Sequence, residues 1–205
     1  MGVTQNAKGD FQGQSILPAV RKMKDMERLL DTPYTWIVLL DSHISQLMSI
    51  AQLARSHRKQ LLIHVDLIQG LKNDDYAIEF LCQSVRPAGI ISTRSSAVAT
   101  AKKHGSLAIQ RHFLLDSGAL EMCYKLAEKI RPDYIEVMPG VMPHIISELR
   151  QRLEVPILAG GLIRSEQDVN LALESGAIAV TTSRKELWDA FAPAAPAAPA
   201  PRGGV

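Results

Sequence analysis

One pattern recurs eight times along this chain: a short apolar run rich in β-branched residues, a polar or glycine-containing turn, and apolar residues at three- and four-residue spacing. The run is typical of a buried strand, and the spacing that follows it is typical of an amphipathic helix. The predicted strands are residues 15–20, 35–41, 60–66, 89–93, 107–113, 134–138, 155–160 and 178–183. Strict alternation predicts parallel strands with right-handed crossovers. Eight units favour closure into a compact (β/α)8 barrel of the TIM type over an open sheet.

The predicted domain organisation is a single barrel between two short extensions. The chain has 205 residues, 46% of them hydrophobic, which is enough for one sizeable core. We assign residues 15–191 to the barrel and residues 1–14 to a flexible N-terminal extension. Residues 192–205 are rich in alanine and proline, which predicts a disordered tail. Because the repeated units are short, the loops on both faces of the barrel should be short as well.

Charge, hydropathy and cysteine content exclude several classes of protein. A formal charge of +2 does not indicate a protein that binds nucleic acid over its whole surface, although it is compatible with a local basic patch. The N-terminus lacks the pattern of a secretory signal, and no stretch approaches the roughly 20 apolar residues of a membrane span. We therefore expect a cytoplasmic protein that makes no membrane contact. Cys82 and Cys123 lie among apolar residues and predict core thiols rather than a metal site or a disulfide.

The segments ILAGGLI and AVTTSRKELW, around the ends of the seventh and eighth strands, predict a phosphate site. In such barrels the loops after these two strands commonly bind phosphate. Gly160 and Gly161 let backbone amides approach an anion, while Thr182, Ser183 and the start of the last helix add donors. The alternative is that the glycines only make a tight turn and Ser183 only caps a helix.

A second group of polar residues should project from the other strand ends. Side chains alternate along a strand, so His64 and Asp66 share a face, and Glu136 should point into the barrel mouth. Carboxylates in that position suit ligand hydroxyls or acid–base work, and Arg111 could neutralise a phosphate. The alternative for His64 and Asp66 is a structural role, in which they pair with each other or with the backbone as a satisfied polar layer.

Two enzyme mechanisms common in phosphate-binding barrels are disfavoured. No lysine ends a predicted strand, which argues against a Schiff-base aldolase. Asp66, Lys72 and Asp75 are spaced too loosely for the Asp-x-Lys-x-x-Asp array of decarboxylating barrels. We predict no catalytic residue. The alternative is a small barrel enzyme that acts on a phosphorylated metabolite by acid–base chemistry through His64, Asp66 and Glu136.

Nine segments between Ser15 and Trp188 carry a resemblance to a known family: SILPAVRKMKDMERLL, LLDSHI, HVDLIQGLKNDD, GIISTRSS, AKKHG, IQRHFLLDSGAL, PDYIEVMPG, PILAGGLI and ALESGAIAVTTSRKELW. They are similar to the glycerol-3-phosphate-responsive antiterminators, the GlpP family of glycerol uptake operon regulators. The resemblance implies a barrel without catalytic activity. It binds glycerol-3-phosphate as an effector, uses no cofactor, and when loaded binds the leader mRNA of its operon so that transcription passes a terminator.

Carried onto this sequence, the resemblance implies that the ligand phosphate lies against Gly160, Gly161, Thr182 and Ser183. Asp66, Arg111 and Glu136 are then candidates for the rest of the ligand. The alanine- and proline-rich tail departs from the family pattern but lies outside the barrel.

The RNA-binding surface cannot be placed from the sequence. Basic clusters occur at residues 21–28, 55–59, 102–104 and 184–185, and most such clusters are solvated helix faces. Aromatic residues make up only 5% of the chain, with no pattern that indicates base stacking. Whether the protein forms a homodimer is also left open, as is a metabolite-binding protein that acts through a protein partner.

Overall fold

Eight parallel strands form a closed barrel in the computed structural model, which describes residues 11–72 and 74–194. Each strand pairs with its neighbours in chain order, and the first and last strands pair to close the barrel. The strands are β1 (Ile16–Val20), β2 (Trp36–Leu39), β3 (Gln60–His64), β4 (Gly89–Ser92), β5 (Leu107–Phe113), β6 (Tyr134–Met138), β7 (Ile157–Gly160) and β8 (Ala179–Thr182). The predicted (β/α)8 barrel is confirmed.

A helix follows every barrel strand. The helices are α1 (Met23–Leu30), α2 (Ile44–Ser56), α3 (Asp75–Phe80), α4 (Ser95–Lys103), α5 (Ser117–Ile130), α6 (Pro143–Arg152), α7 (Glu166–Glu174) and α8 (Lys185–Ala190). A π-helical turn, Leu81–Val85, continues α3. Asp74, Asp116 and Ser165 accept backbone N–H bonds at the starts of α3, α5 and α7 and cap these three helices.

The third strand is shorter than the sequence pattern predicts. It ends at His64, and Val65–Leu67 form a 3₁₀ turn instead of continuing the strand. Beyond this turn, Ile68–Gln69 pair in parallel with Ser42–His43, which makes a second, two-stranded sheet beside the barrel. The strand prediction over residues 60–66 is therefore wrong for its last two residues, because a buried apolar residue such as Val65 fits a buried turn as well as a strand.

Alternation along the strands builds two apolar cores. One lies between the strands and the helices, and the other fills the barrel interior. The interior core includes Leu17, Val38, Leu62, Ile91, Ile109 and Leu158. Cys123 is fully buried in the outer core, as predicted, and Cys82 is half-buried against it. The interior apolar layer occupies the N-terminal half of the barrel, which leaves the C-terminal half to polar side chains.

The segment before β1 closes the N-terminal end of the barrel. Phe11 packs edge-on against Trp36, with ring centroids 5.2 Å apart, and also contacts the Tyr134 ring. The buried Gln14 side chain bonds to the backbone of Ile16, Thr35 and Trp36. The predicted flexible extension is therefore wrong for residues 11–14, because their side chains have an apolar and hydrogen-bonding site to fill. Residues 1–10 and the predicted tail from residue 195 onward lie outside the described residues.

In residues 11–72 and 74–194, none of the helices has the length and hydropathy of a membrane span. Over the same residues, no group of three or more His, Cys, Asp or Glu side chains is arranged to hold a metal ion.

Candidate functional site

A layer of polar side chains lies inside the barrel, above the apolar interior. Strand alternation turns Arg111 on β5, Glu136 on β6 and Thr181 on β8 toward the barrel axis. Arg111 Nε lies 2.7 Å from Glu136 Oε2, and Thr181 Oγ1 donates to Glu136 Oε1 at 2.5 Å. Glu136 is fully buried and Arg111 is 7% exposed, so this is an ion pair withdrawn from water. The structure thus brings Arg111 and Glu136 together, as two of the predicted site residues.

Gly160 makes room for this layer. A Cβ atom placed on Gly160 would lie 2.4 Å from Thr181 Oγ1 and 2.8 Å from Glu136 Oε1. The glycine therefore packs beneath the carboxylate and hydroxyl groups instead of facing the cavity above them. Thr181 was missed in the sequence analysis, which singled out Thr182. The signal was available, because Thr181 alternates with the inward-facing Ala179 along the eighth strand.

His64 completes the polar layer without any hydrogen bond of its own. It is 3% exposed, and neither ring nitrogen has a partner among the described residues. Burial lowers the pKa of His64 to about 4, and the positive charge of Arg111 acts in the same direction against the opposing carboxylates of Asp66 and Glu136. His64 is therefore a neutral imidazole near pH 7, with one donor and one acceptor available.

We predict that the protein loses stability on acidification between pH 6.5 and 4. Burial also lowers the pKa of His112 to about 4, so both folded-state values lie below the ordinary value of 6.5. In that interval the unfolded chain binds more protons than the folded one, so protons favour unfolding. The expected loss is on the order of 3 kcal/mol for each histidine. Urea unfolding across this pH range measures the loss directly.

The control for this prediction is His112→Leu, which removes one of the two buried imidazoles. We expect the pH dependence of the unfolding free energy to fall to roughly half of the wild-type dependence. A wild-type unfolding free energy that stays constant from pH 7 to 4.5 would contradict the assignment of both imidazoles as buried and neutral.

Asp66 is held by protein donors at the ends of β3 and β4. Its two carboxylate oxygens accept hydrogen bonds from the Ser92 hydroxyl at 2.6 Å and from the Thr93 backbone and hydroxyl at 2.7 and 2.9 Å. Arg94 Nε adds an ion pair at 3.2 Å. Burial by itself would raise the pKa of Asp66, but these hydrogen bonds outweigh it and lower the pKa. Asp66 forms no hydrogen bond with His64 but accepts one from the Thr93 backbone, so of the structural pairings considered for Asp66 the one with backbone is made.

A cavity of about 280 Å³ opens above the polar layer at the C-terminal ends of β7 and β8. Gly161, Thr182 and Ser183 line it, and Arg111 reaches it from below. Three further arginines contribute to its walls: Arg21, Arg164 and Arg184. Of these, Arg164 was missed in the sequence analysis, although it follows the double glycine by only three residues. The cavity has the positive charge and the backbone access that a phosphate ester needs.

The backbone after β7 adopts an unusual conformation beside this cavity. Gly161 and Leu162 both have left-handed φ angles, +74° and +60°, and Leu162 is 57% exposed. A leucine in this region is strained, and such strain concentrates at ligand-binding loops. The Gly140 N–H donates to Gly161 O at 3.0 Å, which holds the loop against the turn after β6.

Comparison with known proteins supports this description of the fold. The family model for the glycerol-3-phosphate responsive antiterminator matches residues 16–188. A glycerol uptake operon antiterminator regulatory protein from Listeria monocytogenes is 48% identical, with a TM-score of 0.85, over 87% of this chain and 97% of that chain. A glycerol uptake operon antiterminator-related protein from Thermotoga maritima is 26% identical, with a TM-score of 0.77, over 87% of this chain and 99% of that chain.

One relative without an assigned function matches as well. The uncharacterized protein YgcP of Escherichia coli K12 is 30% identical over 173 residues, which are 84% of this chain and 91% of the relative. The family model spans most of the barrel, including the polar layer and the arginine-lined cavity. The chain therefore belongs to the family of glycerol-3-phosphate responsive antiterminators.

Proposed function

We propose that this protein senses glycerol-3-phosphate and, when loaded, binds the leader mRNA of a glycerol-utilisation operon and prevents premature termination. The observation that carries the proposal is the arginine-lined cavity at the ends of β7 and β8, in a chain of this family. Arg21, Arg164 and Arg184 supply charge-assisted donors from three loops. A regulator of nascent transcripts works in the cytoplasm, which is where we expect this chain, and it needs no cofactor besides the effector.

The proposed ligand lies across the cavity and the polar layer. Its phosphate contacts the Gly161 backbone, the Thr182 and Ser183 region and the arginines around them, where the backbone at the start of the last helix adds donors. Its glycerol hydroxyls point down to Arg111 and to His64, whose unpartnered nitrogens suit a hydroxyl group. Gly160 and Glu136 act from below by fixing the position of Arg111. Asp66 acts from the neighbouring strand ends, where it fixes Ser92, Thr93 and Arg94.

The polar layer supports sensing better than catalysis. Both oxygens of Glu136 are engaged, by Arg111 and by Thr181, so this carboxylate is not a free base. The four donors around Asp66 occupy that carboxylate too. His64 alone favours the second candidate, an acid–base enzyme acting on a phosphorylated metabolite, because it is neutral and unpartnered. Turnover of glycerol-3-phosphate that disappears in His64→Leu would support that candidate.

The proposal is tested by titrating a leader transcript of the operon with the full chain, with and without glycerol-3-phosphate, across a salt series. We expect the ligand to tighten RNA binding, and the affinity to fall linearly with salt on a logarithmic scale because phosphate contacts release counterions. Equal RNA affinity with and without ligand would overturn the sensor mechanism.

The matched variants for this titration are Gly161→Asp and Gly161→Asn. Both place a side chain that tolerates the left-handed backbone on a residue with φ +74°, where the nearby Met138 methyl can shift. Only Asp adds a negative charge to the cavity wall, so it should abolish ligand binding in calorimetry and remove the ligand response in RNA binding. Gly161→Asn should keep a weakened response. Equal ligand affinity in the two variants would take Gly161 out of the phosphate site.

A further inference from the structure

Three arginines end helices in a backbone conformation that usually belongs to glycine. Arg58 follows α2, Arg86 follows the π-helical turn after α3, and Arg131 follows α5, with φ angles of +58°, +54° and +51°. In the described ranges, non-glycine residues with positive φ are Gln12, Leu162 and these three arginines. Gly105 lies two residues beyond the end of α4, as Arg58 does beyond α2, and has a φ angle of +73°.

The choice of arginine at these positions is costly for folding. A side chain in the left-handed region is strained, whereas glycine adopts it freely and is the usual residue just beyond a helix. Arg58, Arg86 and Arg131 are all exposed, so no core packing offsets the strain. Strain of this kind persists where the side chain has a function, and three arginines at one structural position point to a function that needs positive charge.

The three arginines belong to one continuous surface. Helices run back from the C-terminal to the N-terminal end of the barrel, so their last turns lie together at the end opposite the arginine-lined cavity. Arg55 donates to Val85 O at 2.9 Å and to Arg86 O at 3.1 Å, which joins the ends of α2 and the π-helical turn. Lys102 Nζ donates to Arg131 O, which joins the ends of α4 and α5. The four helix ends therefore form an arc around the barrel.

The arc has a strong excess of positive charge. Besides the three arginines it presents the exposed Lys103 and His104 at the end of α4. In residues 53–59, 81–86, 100–105 and 127–131, all of which the structure describes, Glu128 is the one acidic side chain. We call Arg58, Arg86, Lys103, His104 and Arg131 the basic rim.

The basic residues next to the rim have structural roles, which separates them from it. Lys59 is buried, and its Nζ donates to Thr32 O at 2.6 Å and to Tyr34 O at 2.7 Å. Arg55 and Lys102 hold the neighbouring turns through the carbonyl bonds described above. By contrast, the side chains of Arg58 and Arg131 form no ion pair or hydrogen bond with the described residues, and Arg86 bonds only to Gln83 O. The three rim arginines are thus left facing solvent.

We propose that the basic rim binds the sugar-phosphate backbone of the RNA recognised by this antiterminator, an inference that rests on the proposed function. The planar guanidinium group of arginine donates two parallel hydrogen bonds to phosphate oxygens. The basic rim contains no aromatic side chain on which an unstacked base could lie, so it suits the backbone of a base-paired stem better than single-stranded bases. The rim lies at the opposite end of the barrel from the effector cavity. RNA and effector therefore occupy separate sites.

The test is the triple variant Arg58→Gly, Arg86→Gly and Arg131→Gly in the full chain, titrated with the leader transcript in the presence of glycerol-3-phosphate. Each phosphate contact contributes a salt slope of about 0.7–0.9, so the slope should fall by about 2–3 and the affinity at 0.1 M salt by roughly a hundredfold. The melting temperature should stay equal or rise, because glycine relieves the strain. Calorimetry should show unchanged affinity for glycerol-3-phosphate.

Two controls separate rim contacts from general electrostatics. The triple Arg58→Lys, Arg86→Lys and Arg131→Lys keeps the charge and the backbone conformation, so it should retain most of the salt slope. Lys24→Gln with Lys125→Gln removes two exposed charges elsewhere and should change the affinity little. If the glycine triple variant binds RNA as tightly as the wild type, the proposal that the basic rim binds RNA is overturned. It is also overturned if the loss of RNA binding is accompanied by a lower melting temperature. Absence of wild-type RNA binding overturns the proposed function itself.

Discussion

Replacement of Arg111 by methionine is expected to destabilise the protein by about 3–5 kcal/mol, because it leaves the Glu136 carboxylate buried without its cation. Glu136 is fully buried, and Arg111, whose Nε atom lies 2.7 Å from Glu136 Oε2, is 7% exposed. Thr181 alone donates one hydrogen bond to the other oxygen and cannot neutralise the charge. Urea unfolding at pH 7 measures the free-energy change, and calorimetry should show that glycerol-3-phosphate no longer binds.

The control for Arg111→Met is the double variant with Glu136→Leu. Removing both charges of a buried ion pair is often neutral or stabilising, so the double variant should recover most of the lost stability. It should not recover ligand binding, because the cation beneath the cavity is still absent. A single variant that loses less than about 1 kcal/mol would show that the pair is more hydrated than its burial indicates.

The barrel could be predicted from the sequence because its signals are local and repeated. Most strands are short, continuous apolar runs, and polar caps such as Asp74, Asp116 and Ser165 mark helix starts within a few residues of the strands. The turn at Val65–Leu67 was not predictable in this way, because an apolar residue followed by an acidic one fits both a strand end and a buried turn. The turn is stabilised by hydrogen bonds to Asp66 from donors at and just after the end of β4, which are 26 to 28 residues away in sequence.

The location of the arginine-lined cavity agrees with the predicted position of a phosphate site, but the role of each residue around it could not be predicted. Position in the seventh and eighth units indicated the end of the barrel and the loops at which the cavity lies. The register of Thr181 against Glu136 depends on the stagger between strands 45 residues apart, which no local pattern contains. The arginines converge from loops after β1, β7 and β8, so their proximity follows only from closure of the barrel.

Gly160 has a different environment from the one that the sequence suggests. The sequence suggests a glycine that exposes its amide to an anion, whereas the structure places it against the Glu136 carboxylate and the Thr181 hydroxyl. Both roles require a missing Cβ, so the pattern of two glycines cannot distinguish them. Gly161 has a left-handed φ and lines the cavity, while Gly160 does not share that conformation. The two adjacent glycines are thus required for different physical reasons.

This difference predicts a larger loss of stability for Gly160→Ala than for Gly161→Ala. At Gly160 the backbone is compatible with alanine, which by itself would stabilise the fold by about 0.4–1 kcal/mol. The added Cβ would nevertheless lie 2.4 Å from Thr181 Oγ1 and 2.8 Å from Glu136 Oε1, inside a packed polar layer. Overpacking and a disturbed buried hydrogen bond together should cost about 3 kcal/mol and displace Arg111 from the cavity. Ligand affinity in calorimetry should fall below detection.

At Gly161 the new methyl group meets only the flexible end of Met138, at 2.6 Å, so the expected cost is the left-handed backbone, about 1–2 kcal/mol. Ligand binding should weaken but persist. Adding Thr181→Ala to Gly160→Ala removes the shortest contact and should restore part of the stability, although the hydrogen bond to Glu136 is then lost. Equal unfolding free energies for the two single variants would contradict the steric role of Gly160. Closure of the barrel places the residue tightly against the ion pair, so the steric cost at Gly160 should exceed the conformational cost at Gly161.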